Sequence, residues 1–375
     1  MKTKRACNGF VLIVTLMILS LAMVLISFMI NRSTIFFPLA QTVIEREKAK
    51  ELALGGLQLA SSQLAYADVV ESVEKEKPEK KASAKQDEKK SADEKKQAEE
   101  KPQESKAGAQ DKQMLKTLMP VLGRWQTVTL DAAKDGLEGE IKICIMSEDG
   151  KINLNELYDF QKHAFVGSGK EQEELKKTIQ EIFGSIKKAS GGQGLYESLE
   201  SFLKERNDKV RDVTELLTIK GFESFKDTIF YSPDQQKSAN KEKKPLYLTD
   251  IFTVWSHKRT IDPWLFSYSM RTIFNLPEPD KGAAADALKG FKGSYTWPAD
   301  WNNVFSKIYK KDFNTLPKGI ASLLGLTFGP ETFSVLSYGT VGQITHRLFA
   351  ILERDTTDRE SKEPAKVHIK KLYWI

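Results

Sequence analysis

Few residue types in this chain stand at spacings that could do chemistry. The four histidines, His163, His257, His346 and His368, have no partners at the distances zinc ligands keep along a sequence. Gly167-Ser168-Gly169-Lys170 has the composition of a phosphate-binding turn. It lacks the earlier glycine of such a loop, and Glu171 stands where Ser or Thr is required. No G-x-S-x-G elbow occurs to present a serine nucleophile. The two cysteines, Cys7 and Cys144, are too few for a zinc quartet or a disulfide scaffold. Oxygen-bearing side chains gather at Asp149, Asn153, Asn155 and Glu156, but not at the alternating positions of an EF-hand calcium loop. The residues favour a structural turn at Asp149-Gly150, with Asn153 and Asn155 bonding backbone groups in the bend. The expectation is a chain that is not an enzyme, with no cofactor.

The N-terminus offers a different kind of chemistry, that of a peptidase substrate. Residues 1–9 read MKTKRACNG, with Lys2, Lys4 and Arg5 as their charges. Phe10–Ile30 follows without a charge, and its 21 residues span about 31 Å as a helix, enough to cross a bilayer core. The three cations keep the N-terminus in the cytoplasm and send the remainder across. A cleaved secretory signal needs a shorter apolar run and a small-residue cleavage site, which Asn31-Arg32-Ser33 does not supply. A plain signal anchor fits the apolar run. The segment also resembles a prepilin leader: a short basic stretch ends in Gly9, aromatic Phe10 follows, and the apolar helix starts at once. Cutting between Gly9 and Phe10 would remove Cys7 and the three cations, taking the formal charge from +6 to +3 (6 − 3).

Elements must position these features. Residues 31–66 read as a stem helix continuing the membrane span, with a bend at Pro38 and a weak point at Gly55-Gly56. Residues 67–113 read as a charged, disordered tether, because the stretch 71–112 holds 12 Lys and 12 Asp or Glu without an aromatic residue. That balance of charge gives no ground for a nucleic-acid partner. Alternation predicts strands at Trp125–Leu130 and Gly139–Met146, within a first part of a β domain at 114–157. Residues 158–330 read as an inserted α domain, with Trp297–Trp301 as an aromatic turn. Within it, Asp212–Phe222 has the outline of a helix-hairpin-helix turning at Gly221, and DNA handling through that hairpin is the rival function. Residues 331–375 supply closing strands, with turns at Gly339 and at 355–364. The fold class is α+β: a long N-terminal helix, an antiparallel sheet and a large helical insert.

This order of segments resembles the K-type minor pseudopilins of type II secretion systems. The leader and stem carry the resemblance, together with DGKINLNEL at 149–157, DVTELLTIKGF at 212–222, FSVLSYGTVGQITHRLFAILERD at 333–355 and KVHIKKLYWI at 366–375. So does the fifth residue after Gly9. It is Val14, where most pilins and pseudopilins carry a Glu and the K-type subunit characteristically does not. The resemblance implies a pilin-like fold, a prepilin peptidase, N-methylation of Phe10, and a place in the inner membrane with the C-terminal domain in the periplasm. It also implies partnership with other minor pseudopilins and the pseudopilus body. The family's acidic stretch before the hairpin is replaced here by Ser201–Asp208, and its I-N-V-N-T-A segment by Thr260–Leu265. Its calcium sites therefore cannot be carried over to named residues. A subunit of a related pilus or competence system shares much of this outline.

Overall fold

The computed structural model describes residues 7–67, 117–190, 194–232, 244–279, 301–317, 319–325, 329–355 and 364–375. Lys2, Lys4, Arg5, nearly all of the charged stretch 67–113, and the turn at 297–300 lie outside them.

One helix, α1, runs from Cys7 to Ala65, 59 residues and about 88 Å at 1.5 Å per residue. It passes Pro38 without a break in its assignment. Its C-terminal half carries a buried stripe of Ala49, Leu52, Ala53, Gly56, Leu57, Ala60 and Leu64, three and four residues apart. The small members of that stripe decide how closely the helix approaches its partner. A β-carbon at Gly56 would stand 2.1 Å from Ser337 Oγ, and one at Gly339 would stand 2.1 Å from the backbone oxygen of Ala49. At Gly339 the strand backbone therefore meets the helix backbone, and at Gly56 the helix backbone meets the side chains of Ser337, Ile141 and Ile143. Ser337 Oγ uses the proximity to donate a hydrogen bond to Ala53 O at 2.7 Å.

That partner is a five-stranded antiparallel sheet of order β1-β2-β7-β8-β9. Its strands are β1 (Trp125–Leu130), β2 (Gly139–Ser147), β7 (Thr332–Val341), β8 (Ile344–Arg354) and β9 (Val367–Trp374). Between them in sequence lie two-residue strands β3 (Ile152–Asn153), β4 (Tyr158–Asp159), β5 (Ala164–Phe165) and β6 (Phe252–Thr253). Alternation sorts the side chains of the large sheet. Ile143, Ile145, Val335, Leu348, Ala350 and Leu352 join Ala53, Leu57, Ala60 and Leu64 of α1 in one apolar cluster. Cys144, Met146, Leu336, Tyr338, Phe349 and Ile351 face the other way, onto Tyr231 and Tyr247 of the insert. The expected turn at Gly339 is corrected: Gly339 sits within β7 opposite His346, and the chain reverses at Gly342-Gln343, where Gly342 has φ +57°. Gly339 is there for closeness to α1 and Gly342 for its left-handed backbone.

The insert begins with helices α2 (Lys170–Ser190) and α3 (Leu195–Lys204). Leu175, Ile179, Ile182, Phe183 and Ile186 of α2 and Leu195, Leu199 and Leu203 of α3 enter the same cluster as the stem. The apolar core is thus continuous from stem through sheet into insert. The expected hairpin of two helices at 212–222 is also corrected. Val213–Thr218 and Phe222–Phe225 are short 3₁₀ segments, with Gly221 at φ +95° between them. Asp212 and Glu215 form a capping box that satisfies the first backbone N–H groups of the turn.

Candidate functional site

The first half of α1 is the largest exposed apolar surface among the described residues, from Phe10 to Ile30. Its mean hydropathy reaches 2.8 over an 18-residue window, long and apolar enough to cross a membrane. Two of its hydroxyls bond to the backbone of the helix itself. Thr15 Oγ1 donates to Leu12 O and Ser20 Oγ to Met17 O, each at 2.9 Å, so neither hydroxyl needs water. Gly9 and Phe10 both belong to the helix, and Val14 stands one turn beyond Phe10 on the exposed stretch. Past the apolar run, the guanidinium of Arg32 lies 5.3 Å from the centre of the Phe36 ring. A cation beside an aromatic ring is what a membrane–water boundary favours.

The far end of α1 is clamped by residues whose role sequence reasoning did not identify. Arg354, buried at the end of β8, donates from Nε to Leu64 O at 2.9 Å. Ala365 N donates to Ala65 O at 3.0 Å. Two backbone acceptors of the last helical turn are thereby satisfied, one of them by a cation at the negative end of the helix dipole. The sidechain amides of Gln63 and Gln126 exchange bonds of 2.8 and 3.1 Å, tying the stem to β1. An arginine closing a hydrophobic strand was the available signal, but its partner lies 290 residues away.

The motif at 147–157 is a buried polar bracket. Ser147 Oγ accepts from Asp149 N at 3.2 Å and opens a 3₁₀ turn at Glu148–Gly150. Lys151 is fully buried, paired with Glu148 and 3.0 Å from Ser334 Oγ of β7. Asp149 Oδ1 accepts from Ser256 Oγ at 2.6 Å, and its Oδ2 lies 2.8 Å from Lys258 Nζ. Asn153 donates to the carbonyls of Ser256 and Lys258. Asn155 exchanges two 2.8 Å bonds with the backbone of Val210. Gly150 is required because a β-carbon there would stand 1.7 Å from Leu265 O. Asp149, Gly150, Asn153 and Asn155 are thus brought together, and they join the sheet to the insert. Glu156 pairs instead with Lys209 at 3.1 Å. Among the described residues no three His, Cys, Asp or Glu side chains are grouped to hold a metal ion.

Burial dominates the electrostatics of this region. It pushes the Cys144 thiol up to about 12, so that this cysteine is a core residue rather than a nucleophile. It raises Asp250 and pushes Asp262 up to about 7, against the pull of Lys151 and Lys258 respectively. At the hairpin the balance is reversed. The backbone N–H groups of Glu223 itself and of Gly221 hold the Glu223 carboxyl below its ordinary range. Gly221 N donates to Glu223 Oε2 at 2.6 Å. A side-chain carboxylate therefore occupies the amide that a DNA phosphate would use at such a turn.

No family model matches the sequence, and no curated protein matches it. Among solved structures, the chain is similar to one in the crystal structure of the GspK-GspI-GspJ complex from the enterotoxigenic Escherichia coli Type 2 Secretion System, at 12% identity, covering 69% of this chain and 91% of that one, with a TM-score of 0.35.

Proposed function

We propose that the chain is a non-enzymatic minor pseudopilin that caps or initiates the periplasmic pseudopilus of a type II secretion system. The observation that carries this reading is the division of α1. Its apolar first half is exposed along its length, while its second half is buried against a sheet of the same chain. A helix built this way has one half committed to its own fold and one half free for a membrane and, later, for neighbouring helices.

In this reading a prepilin peptidase cuts between Gly9 and Phe10, and the new Phe10 amine is methylated. The helix then holds the subunit in the inner membrane, with residues beyond Ile30 in the periplasm. Packing against the stems of other minor pseudopilins is apolar and steric. Val14 offers no carboxylate to pair with a terminal amine above it, which suits a subunit with no neighbour on that side. The insert packed on the sheet adds bulk that obstructs stacking.

The deciding experiment is the intact mass of the purified chain after co-expression with and without a prepilin peptidase. Loss of residues 1–9 only with the peptidase is the expected result. A retained leader in both samples sinks the proposal and leaves a plain signal anchor.

A further inference from the structure

A cavity of about 220 Å³ opens where the segment before β1, the end of β2 and the insert meet. An apolar cavity of about 150 Å³ already admits benzene, so this one has room for a ring and a polar group. Most of its wall is apolar, including Met146, Trp264, Phe266 and Tyr268. Among the described residues two arginines, Arg124 and Arg271, are set into that wall, against a single acid, the exposed Glu278. Arg271 leaves the last turn of the helix Tyr268–Ile273, and its backbone is already used: N donates to Ser267 O at 3.0 Å and O accepts from Leu276 N at 2.7 Å. Its side-chain Nε is buried and has no hydrogen-bond partner among the described residues. That atom is shut off from the cavity, so an entering anion would be drawn instead by the excess charge of two lining arginines over one acid. A guanidinium fork matches the two oxygens of a carboxylate. The apolar part of the surrounding wall suits a flat apolar body beside that carboxylate.

We propose that this cavity binds a carboxylate carried on a ring-sized apolar group. Two sources share that chemistry: a free hydrophobic acid, and the C-terminal residue of a peptide. The inference does not depend on the pseudopilin reading.

The test is isothermal titration of the full chain in nanodiscs, against empty discs, with three probes. They are 3-phenylpropionate, its uncharged amide, and an acetylated tetrapeptide ending in phenylalanine with a free carboxylate. Saturable binding of the acid is expected, with the amide at least about tenfold weaker, as loss of a charge-assisted contact requires. Arg124→Gln should weaken the acid and leave the amide unchanged. Arg124 is the position to vary because Arg271 also acts on the buried Asp250, lowering its pKa, and so supports the fold. If circular dichroism shows Arg124→Gln unfolded, the acid–amide comparison on the unaltered chain decides alone. A peptide at least about tenfold tighter than the acid assigns the site to chain termini, and equal affinities assign it to small acids. An amide that binds as tightly as the acid overturns the proposal. So does a folded Arg124→Gln that binds the acid normally, or no saturable heat up to about 10 mM.

Discussion

Asp262 shows what burial does to one side chain. Its Oδ1 accepts from Trp264 N at 3.0 Å, and its carboxyl is pushed up to about 7 by burial, while Lys258 pulls it down and Asp149 adds to the rise. In the unfolded chain the same group ionises near 4. Between those values the folded protein holds a proton that the unfolded chain has lost, so this contribution to stability falls as pH rises from about 4 to about 7 and is level above. Glu200 and Glu353 are lowered, and their contribution is lost only as pH falls below the ordinary glutamate range. Unfolding free energies from urea titrations at about pH 5 and pH 7.5 should therefore drop with pH by an amount on the order of a few kcal/mol. Asp262→Asn keeps the acceptor for Trp264 and should flatten the drop; equal drops in both proteins would refute the assignment. Nothing in the sequence marks Asp262 for this role. Its burial arises where Asp262 N meets Asp149 O at 2.7 Å, across 113 residues of chain (262 − 149). Asn153, by contrast, was legible in part: its Oδ1 accepts from Asn155 N at 3.1 Å within the bend, as an asparagine there does, whereas the bonds of Asn153 to Ser256 and Lys258 and of Asn155 to Val210 span the fold and left no local signal.

Among the elements, strands were the most legible and glycines the least. Period-two alternation located β1 and β2 to within a residue, and the closing strands β7, β8 and β9 fall in the expected 331–375. The same reading placed a turn at Gly339 and a weak point at Gly55-Gly56. Local propensity cannot reveal that Gly56 and Gly339 face each other's elements, since the contact exists only once helix and sheet have docked. Substitution separates the two uses of glycine. Gly339→Ala puts a methyl group against backbone atoms of Ala49 and Ala53, at 2.1 and 2.5 Å, and overpacking of that kind costs about 1–3 kcal/mol or more. Gly184→Ala, within α2 and with open space around it, should instead stabilise by about 0.5–1 kcal/mol. Chemical unfolding followed by circular dichroism should move the two midpoints in opposite directions. Matching shifts would mean that helix and sheet do not touch at Gly339. The segment 212–225 failed differently. Its apolar spacing is real, with Val213, Leu216, Phe222 and Phe225 all buried, but spacings of three fit a 3₁₀ turn as well as a helix.

At the scale of the whole molecule, chemistry is scarce and geometry abundant. Most of the buried charged groups serve the joint between sheet and insert, Arg354 clamps the end of α1, and the exposed apolar groups concentrate on α1. Under the proposed function, Val14 sets where in a filament the subunit stands. Val14→Glu supplies the missing carboxylate and should let the chain occur along the filament shaft, read by immunogold labelling of isolated filaments. Labelling that stays at one end would show that Val14 is only another membrane-facing residue. The periplasmic domain of that variant should keep its unfolding midpoint, because Val14 lies far along α1 from Ala49, the first buried residue of the stem stripe. Mechanics follows from the way α1 is seated. At Gly339 the strand backbone meets the helix backbone at Ala49 and Ala53 with no side chain between them, and Arg354 pins the helix end at Leu64 O. A thrust along the helix axis from the membrane side would meet β7, a central strand bonded to β2 on one side and β8 on the other, and be shared as shear across both ladders. With backbone against backbone at that point and close-packed side chains around it, displacement of the rod would become displacement of the head with little lost in slack.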